Sequence, residues 1–195
     1  ALVAGGVTAA EFSAAALANT ANVALLDRLP ALGLPQCHLV AGCLFQTVWN
    51  LRSGRAPDWG VRDYDIFYFD DSDLSWEAED AVIRQVGALA ADLGILVEPR
   101  NQARVHLWYG ERFGEGYPQL KSARDGIDRY LVECTCVGIE VASRAVYAPY
   151  GLDEMAAGVL RMNPANPRPA LFRAKAQSYR ARWEWLRVVE PQGAR

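Results

Sequence analysis

The sequence predicts an α+β fold, and three observations predict it. Helix-like and strand-like stretches follow one another in mixed order rather than in alternation. No internal repeat and no low-complexity tail interrupts them. Apolar residues make up 51% of the 195-residue chain, ample for one core at that length. We therefore expect a single domain over residues 1–195.

The elements are justified in turn by local chemistry. Thr8 and Glu11 form a T-x-x-E capping box ahead of an Ala/Leu-rich stretch, which predicts an N-terminal helix over 8–29, ended by Pro30. Gly33 and Pro35 mark a turn, and Cys37–Ala41 reads as a short apolar strand. Gly42-Cys43 follows at once, and Leu44, Val48 and Leu51 recur at helical spacing. Gly54, Pro57 and Gly60 make 52–62 a loop. Asp63–Phe69 alternates acids and aromatics with period two, placing Asp63, Asp65, Phe67 and Phe69 on one face and Tyr64, Ile66 and Tyr68 on the other. Ser75 opens an amphipathic helix from Trp76 to about Leu93, stopped by Gly94, with Asp70, Asp71 and Asp73 as capping acids. Ile95–Val97 and Ala103–Tyr109 read as two strands flanking Pro99, followed by a Gly-rich loop, Gly110–Gly116. Asp128–Glu140 is open between helix and strand, Val141–Tyr147 reads as strand, and Gly151–Val159 as a short helix. A Pro-rich connector leads to a basic, aromatic C-terminal helix over about 172–186. Basic residues interleaved with aromatics fit a nucleic-acid surface, but the favoured reading is a helix whose aromatics dock on the domain while its charges stay in water.

Composition excludes some classes. The formal charge is −3, from 20 basic and 23 acidic residues, so no global basic bias argues for nucleic acid. No apolar run approaches the length of a membrane span, and the Ala-rich start lacks the basic region of a secretory signal. Cys37, Cys43, Cys134 and Cys136 do not match zinc-site spacing and read as buried free thiols, hence an expected cytoplasmic location.

The sharpest chemical feature is Asp63-Tyr64-Asp65 at the head of an apolar strand. Two like charges on one strand face repel and are costly to desolvate. A divalent cation removes both penalties, and phosphoryl transfer needs Mg²⁺ to bridge carboxylate and phosphate oxygens. Alone, two acids at a strand end are more often surface residues than ligands. Upstream, however, a strand runs into Gly42-Cys43 and a helix, a turn that lets backbone N–H groups approach a triphosphate.

The run Val40-Ala41-Gly42-Cys43 through Gln46-Thr47-Val48-Trp49-Asn50 and Gly54-Arg55 to Asp63-Tyr64-Asp65 resembles the head of the polymerase-beta nucleotidyltransferase superfamily. Its spacing is most similar to the head domain of tRNA CCA-adding enzymes. Asn101-Gln102-Ala103-Arg104-Val105-His106 and Ala148-Pro149-Tyr150-Gly151-Leu152-Asp153 extend the resemblance to a bacterial nucleotidyltransferase-like family over nearly the whole chain. The resemblance implies a polymerase-beta-type fold, a mixed central sheet flanked by helices. It implies Asp63 and Asp65 as catalytic ligands of Mg²⁺ or Mn²⁺, with Gly42, Cys43, Gln46 and Thr47 about a nucleoside triphosphate. Gln46 and Thr47 stand where the tRNA enzymes have Arg-Asp.

Arg104 and His106, taken as one strand face, are candidate phosphate and nucleotide contacts if that strand neighbours the aspartates. Otherwise Arg104 pairs with a structural acid. Asp128, with Glu133, weakly resembles a ribose-contacting segment of the tRNA enzymes. No third carboxylate is expected on the strand carrying Arg104, with Glu98 just before it. Two functions follow. One is transfer of a nucleoside monophosphate from NTP to an acceptor hydroxyl on RNA, a small molecule or a protein. The other is a non-catalytic module that binds nucleotide or RNA, favoured by a chain too short for the helical body of the tRNA enzymes.

Overall fold

The computed structural model describes residues 6–114 and 116–193. The first five residues (part of the start expected to lack a signal), residue 115 and the last two residues lie outside that range, and the loop expected over Gly110–Gly116 is instead helical through Phe113. Fifteen helices and strands follow in the order α1 (Ala9–Ala16), α2 (Thr20–Arg28), β1 (His38–Val40), α3 (Gly42–Arg52), β2 (Asp63–Tyr68), α4 (Trp76–Leu89), β3 (Leu96–Asn101), α5 (Val105–Phe113), α6 (Ala123–Ile127), β4 (Gly138–Glu140), β5 (Val146–Tyr147), α7 (Asp153–Ala157), β6 (Val159–Leu160), α8 (Pro169–Arg182) and β7 (Arg187–Val188). Five strands form one sheet in the order β3-β2-β1-β4-β5, and β6 pairs β7 separately. β2 and β3 run parallel while the other neighbours in the large sheet are antiparallel, so the sheet is mixed. Among the described residues no helix is long and apolar enough to cross a membrane.

The strand carrying the aspartates forms where alternation put it. Tyr64, Ile66 and Tyr68 are buried, and Asp63, Asp65 and Phe67 are partly exposed on the other face. α3 and α6 pack against β2, and Asn19, the N-cap of α2, meets Tyr64 on its buried face. There the Asn19 amide donates to the Tyr64 hydroxyl at 3.0 Å and the Asn22 amide to the Cys43 carbonyl at 2.8 Å. α8 docks on α3 through aromatics: Tyr179 meets Phe45 and Trp49 edge-on at 5.5 and 5.3 Å, and Trp183 meets Trp49 at 5.2 Å. Such tilted pairs satisfy the ring quadrupoles as well as burying area. The Trp183 indole N–H donates to Asn50 Oδ1 at 2.9 Å, which satisfies both buried polar groups. The four cysteines are free and buried.

Several elements differ from expectation. The N-terminal helix is two helices, because the Asn19 side chain leaves the first and caps the second by accepting from Ala21 N–H at 3.1 Å. β3 is one strand running through Pro99, tolerated because β3 is an edge strand. The stretch expected as a strand over Ala103–Tyr109 is instead the start of α5, so Gln102, Arg104 and His106 share no strand face. The ambiguous 128–140 region resolves into a 3-10 turn (Glu133–Thr135) and β4, and the strand expected over 141–147 shrinks to β5. α4 matches its expected start, with Ser75 Oγ accepting from Ala78 N–H at 3.2 Å and Asp73 accepting from Ser75 N–H at 2.9 Å.

Candidate functional site

The site is built where β1 ends. The antiparallel register sets Val40 opposite Asp65, so the chain leaving β1 turns beside Asp63. The turn is made by Ala41, which adopts φ 57°, ψ −123°, a conformation that L side chains rarely take. Its carbonyl accepts from Leu44 and Phe45 N–H groups at 2.9 and 3.2 Å, starting α3. The N-terminus of an eleven-residue helix thus lies next to two carboxylates, and its free N–H groups and dipole favour an anion there. Gly42 keeps that approach open: a Cβ on it would lie 3.0 Å from the Gln46 amide nitrogen.

Burial and neighbouring charge act strongly on Asp65. Desolvation, then Asp63, then Glu98 push its carboxyl up to about 7, against the opposing pull of Arg100 and Lys175. Glu98 is its register partner on β3, so the two carboxylates share a sheet face. No third carboxylate is expected on the strand carrying Arg104, and Glu98, expected just before that strand, lies inside β3. The signal was present in the alternation of Leu96, Glu98 and Arg100, but Pro99 obscured it. Tyr130 also closes on the site: its ring stacks on Phe67 at 5.8 Å, and its hydroxyl, buried near Asp65, has no hydrogen-bond partner.

Two carboxylates fit a Mg²⁺ or Mn²⁺ ion that arrives with a nucleotide. Among the described residues no three His, Cys, Asp or Glu side chains converge as a closed metal cage. Mg²⁺ ordinarily takes only one or two protein carboxylates and completes its shell with phosphates and water. The crowding of Asp63, Asp65 and Glu98 on one sheet face favours a cation here, because a positive charge relieves the repulsion that pushes the Asp65 carboxyl up.

The remaining candidates divide. Gln46 lies at the site, accepting from Arg182 Nη1 at 3.4 Å. Cys43 points its thiol into the core toward the Val40 carbonyl, and burial pushes it well up, leaving its backbone to face the turn. The Thr47 hydroxyl is fully buried, donating to Cys43 O at 2.8 Å and accepting from Asn19. Arg104 lies beyond the far end of β3 from Asp63. There Nη1 pairs with Glu79 at 2.5 Å and Nε donates to the Leu74 carbonyl at 2.8 Å, both side chains buried. The strand neighbour expected of Arg104 and His106 is therefore not formed. His106 stands in the first turn of α5, its Nδ1 buried without a partner. Asp128 accepts from the Tyr147 hydroxyl at 2.6 Å on β5, the opposite sheet edge from β3. Glu133 lies beside Glu154 and Arg161.

The mixed sheet, the helix start after β1 and the paired acids on β2 define the class, a nucleotidyltransferase-type protein. A family profile described as "Nucleotidyltransferase" matches residues 27–188, and the chain belongs to that family. No curated protein matches it. A solved structure described as a CCA-adding enzyme head domain superimposes with a TM-score of 0.75 at 23% identity, covering 94% of this chain and 97% of that one. The Thermotoga maritima CCA-adding enzyme complexed with tRNA superimposes with a TM-score of 0.51 at 13% identity. This match covers 93% of this chain but 42% of that enzyme. At these identities both likenesses speak to the fold.

Proposed function

We propose that the protein transfers a nucleoside monophosphate from NTP to an acceptor hydroxyl, using Mg²⁺ or Mn²⁺ held by Asp63 and Asp65. The acceptor oxygen attacks the α-phosphorus and loses its proton to water, the bond to the bridging oxygen breaks, and pyrophosphate leaves. The cation supplies charge stabilisation for the attacking and leaving oxygens. The chain's own groups position: Asp63 and Asp65 fix one side, and the backbone of Gly42 and Cys43 at the start of α3 receives phosphate oxygens. Gln46 lines the approach. Catalysis of this kind rests on orientation and preorganised charge more than on covalent chemistry. The observation that carries the reading is the β1–β2 register, which sets a helix N-terminus beside two carboxylates on one strand face. Four buried free thiols support the cytoplasm as the compartment.

The test measures pyrophosphate release from NTP with Mg²⁺ or Mn²⁺, with RNA, small-molecule and protein acceptors offered separately. Asp63→Ala/Asp65→Ala is expected to lower the rate at least about a hundredfold. Turnover that survives the double substitution overturns the assignment. Metal-independent nucleotide binding without turnover overturns it in favour of a binding module.

A further inference from the structure

Helix α8 brings charge to this site from a part of the chain far from the acids in sequence. Phe172, Ala176, Tyr179 and Trp183 form its buried stripe, which fixes how the helix is rotated on α3. Lys175 and Arg182 are seven residues apart and so lie on nearly the same side, about 10 Å apart along the axis. They flank the Tyr179 ring, with Lys175 Nζ 5.4 Å and Arg182 Cζ 5.6 Å from its centroid. Arg182 Nη1 donates to Gln46 Oε1 at 3.4 Å and to the Gly60 carbonyl at 3.1 Å. Gln46 in turn packs on Gly42, the first residue of α3. Both acceptors of Arg182 are uncharged, so its charge has no carboxylate held directly against it. Lys175 is exposed above the same ring.

We propose that Lys175 and Arg182 bind the polyphosphate of the nucleotide beside the α3 N-terminus, taking the part expected of Arg104. This rests on the nucleotide reading above and names the groups that read phosphate number. A guanidinium with uncharged partners keeps N–H groups for phosphate oxygens, and a flexible ammonium reaches a second point on the chain. Arg182 is joined to the start of α3 through Gln46, and Lys175 stands two turns away on the same side of α8, so anion binding draws on positive charge at this edge of the site.

The test is the affinity, with Mn²⁺ present, for a non-hydrolysable NTP, the matching monophosphate and the nucleoside, in wild type, Lys175→Met and Arg182→Gln. Each variant is expected to weaken NTP binding about tenfold or more and monophosphate binding less, narrowing the preference for three phosphates and flattening its salt dependence. Lys175→Met carries the test if Arg182→Gln folds poorly, because an exposed side chain can be changed at no cost to packing. A wild type that prefers NTP while Lys175→Met binds all three alike to wild type overturns the inference and leaves the nucleotide reading standing. Equal weakening toward all three ligands also overturns it. A wild type that binds no nucleotide at all brings down both.

Discussion

At the scale of residues, the decisive quantity is the ionisation of Asp65. Its carboxyl is held at about 7 in the folded chain by burial and by the charges of Asp63 and Glu98, against an ordinary value near 4 when unfolded. Between those values the folded protein keeps a proton that the unfolded chain has lost. Stability of the metal-free protein therefore falls as pH rises from about 4 to about 7, and the whole penalty is present above that. Melting curves without metal are expected to show lower stability at pH 8 than at pH 5. Asp65→Asn should flatten that decline and stabilise the protein at pH 8 by roughly 1–3 kcal/mol. Added Mn²⁺ should offset the decline in wild type and bind more tightly as pH rises through 7. A wild type that gains stability from pH 5 to pH 8, with Asp65→Asn neutral, contradicts this account. Asp63 and Asp65 themselves were legible in the sequence, because alternation alone puts both on the polar face of a strand. Glu98 was not, since Pro99 reads as a break and only the edge position of β3 makes it harmless.

At the scale of elements, the joint between β1 and α3 decides the site's shape. Small residues were expected at Gly42-Cys43, but the unusual backbone falls on Ala41, at φ 57°. A glycine takes that conformation without a Cβ clash, so Ala41→Gly is expected to raise stability by about 1 kcal/mol. Ala41→Val should lower it by about 2 kcal/mol or more, read as shifts of the denaturation midpoint. Should Ala41→Gly destabilise, the turn is not strained. The joint between β3 and α5 shows the opposite limit of sequence reading. Residues 103–109 carry strand-forming types, yet the chain passes from β3 into α5 at Arg104, whose guanidinium is held by Glu79 of α4 and the Leu74 carbonyl just before it. That buried pair holds Arg104 at the junction, and removing either partner leaves an uncompensated charge. Local propensity carries no information about that partner.

At the scale of the whole molecule, α8 is part of the core rather than an appendage. Trp183 is almost fully buried, edge-on to Trp49 and hydrogen-bonded to Asn50. Trp183→Ala is expected to cost about 3–5 kcal/mol and to lower the melting temperature by roughly 10 °C. A loss under about 1 kcal/mol would mean that α8 is bound only peripherally. A net charge of −3 conceals the local arrangement, because packing of α8, and no clustering along the chain, brings Arg182 to Gln46 near the start of α3.

The sequence by itself determined the fold class, the strand that bears Asp63 and Asp65, the helix after Gly42 and the burial of the thiols. Each of these follows from periodicity, capping or residue size within a short window. Tertiary structure alone decided that Glu98 stands beside Asp65, that Arg104 is spent on Glu79, and that Arg182 reaches Gln46. Those outcomes depend on strand order and on how α8 is rotated against α3. Burial of aromatic surface sets that rotation over a separation that no local pattern spans.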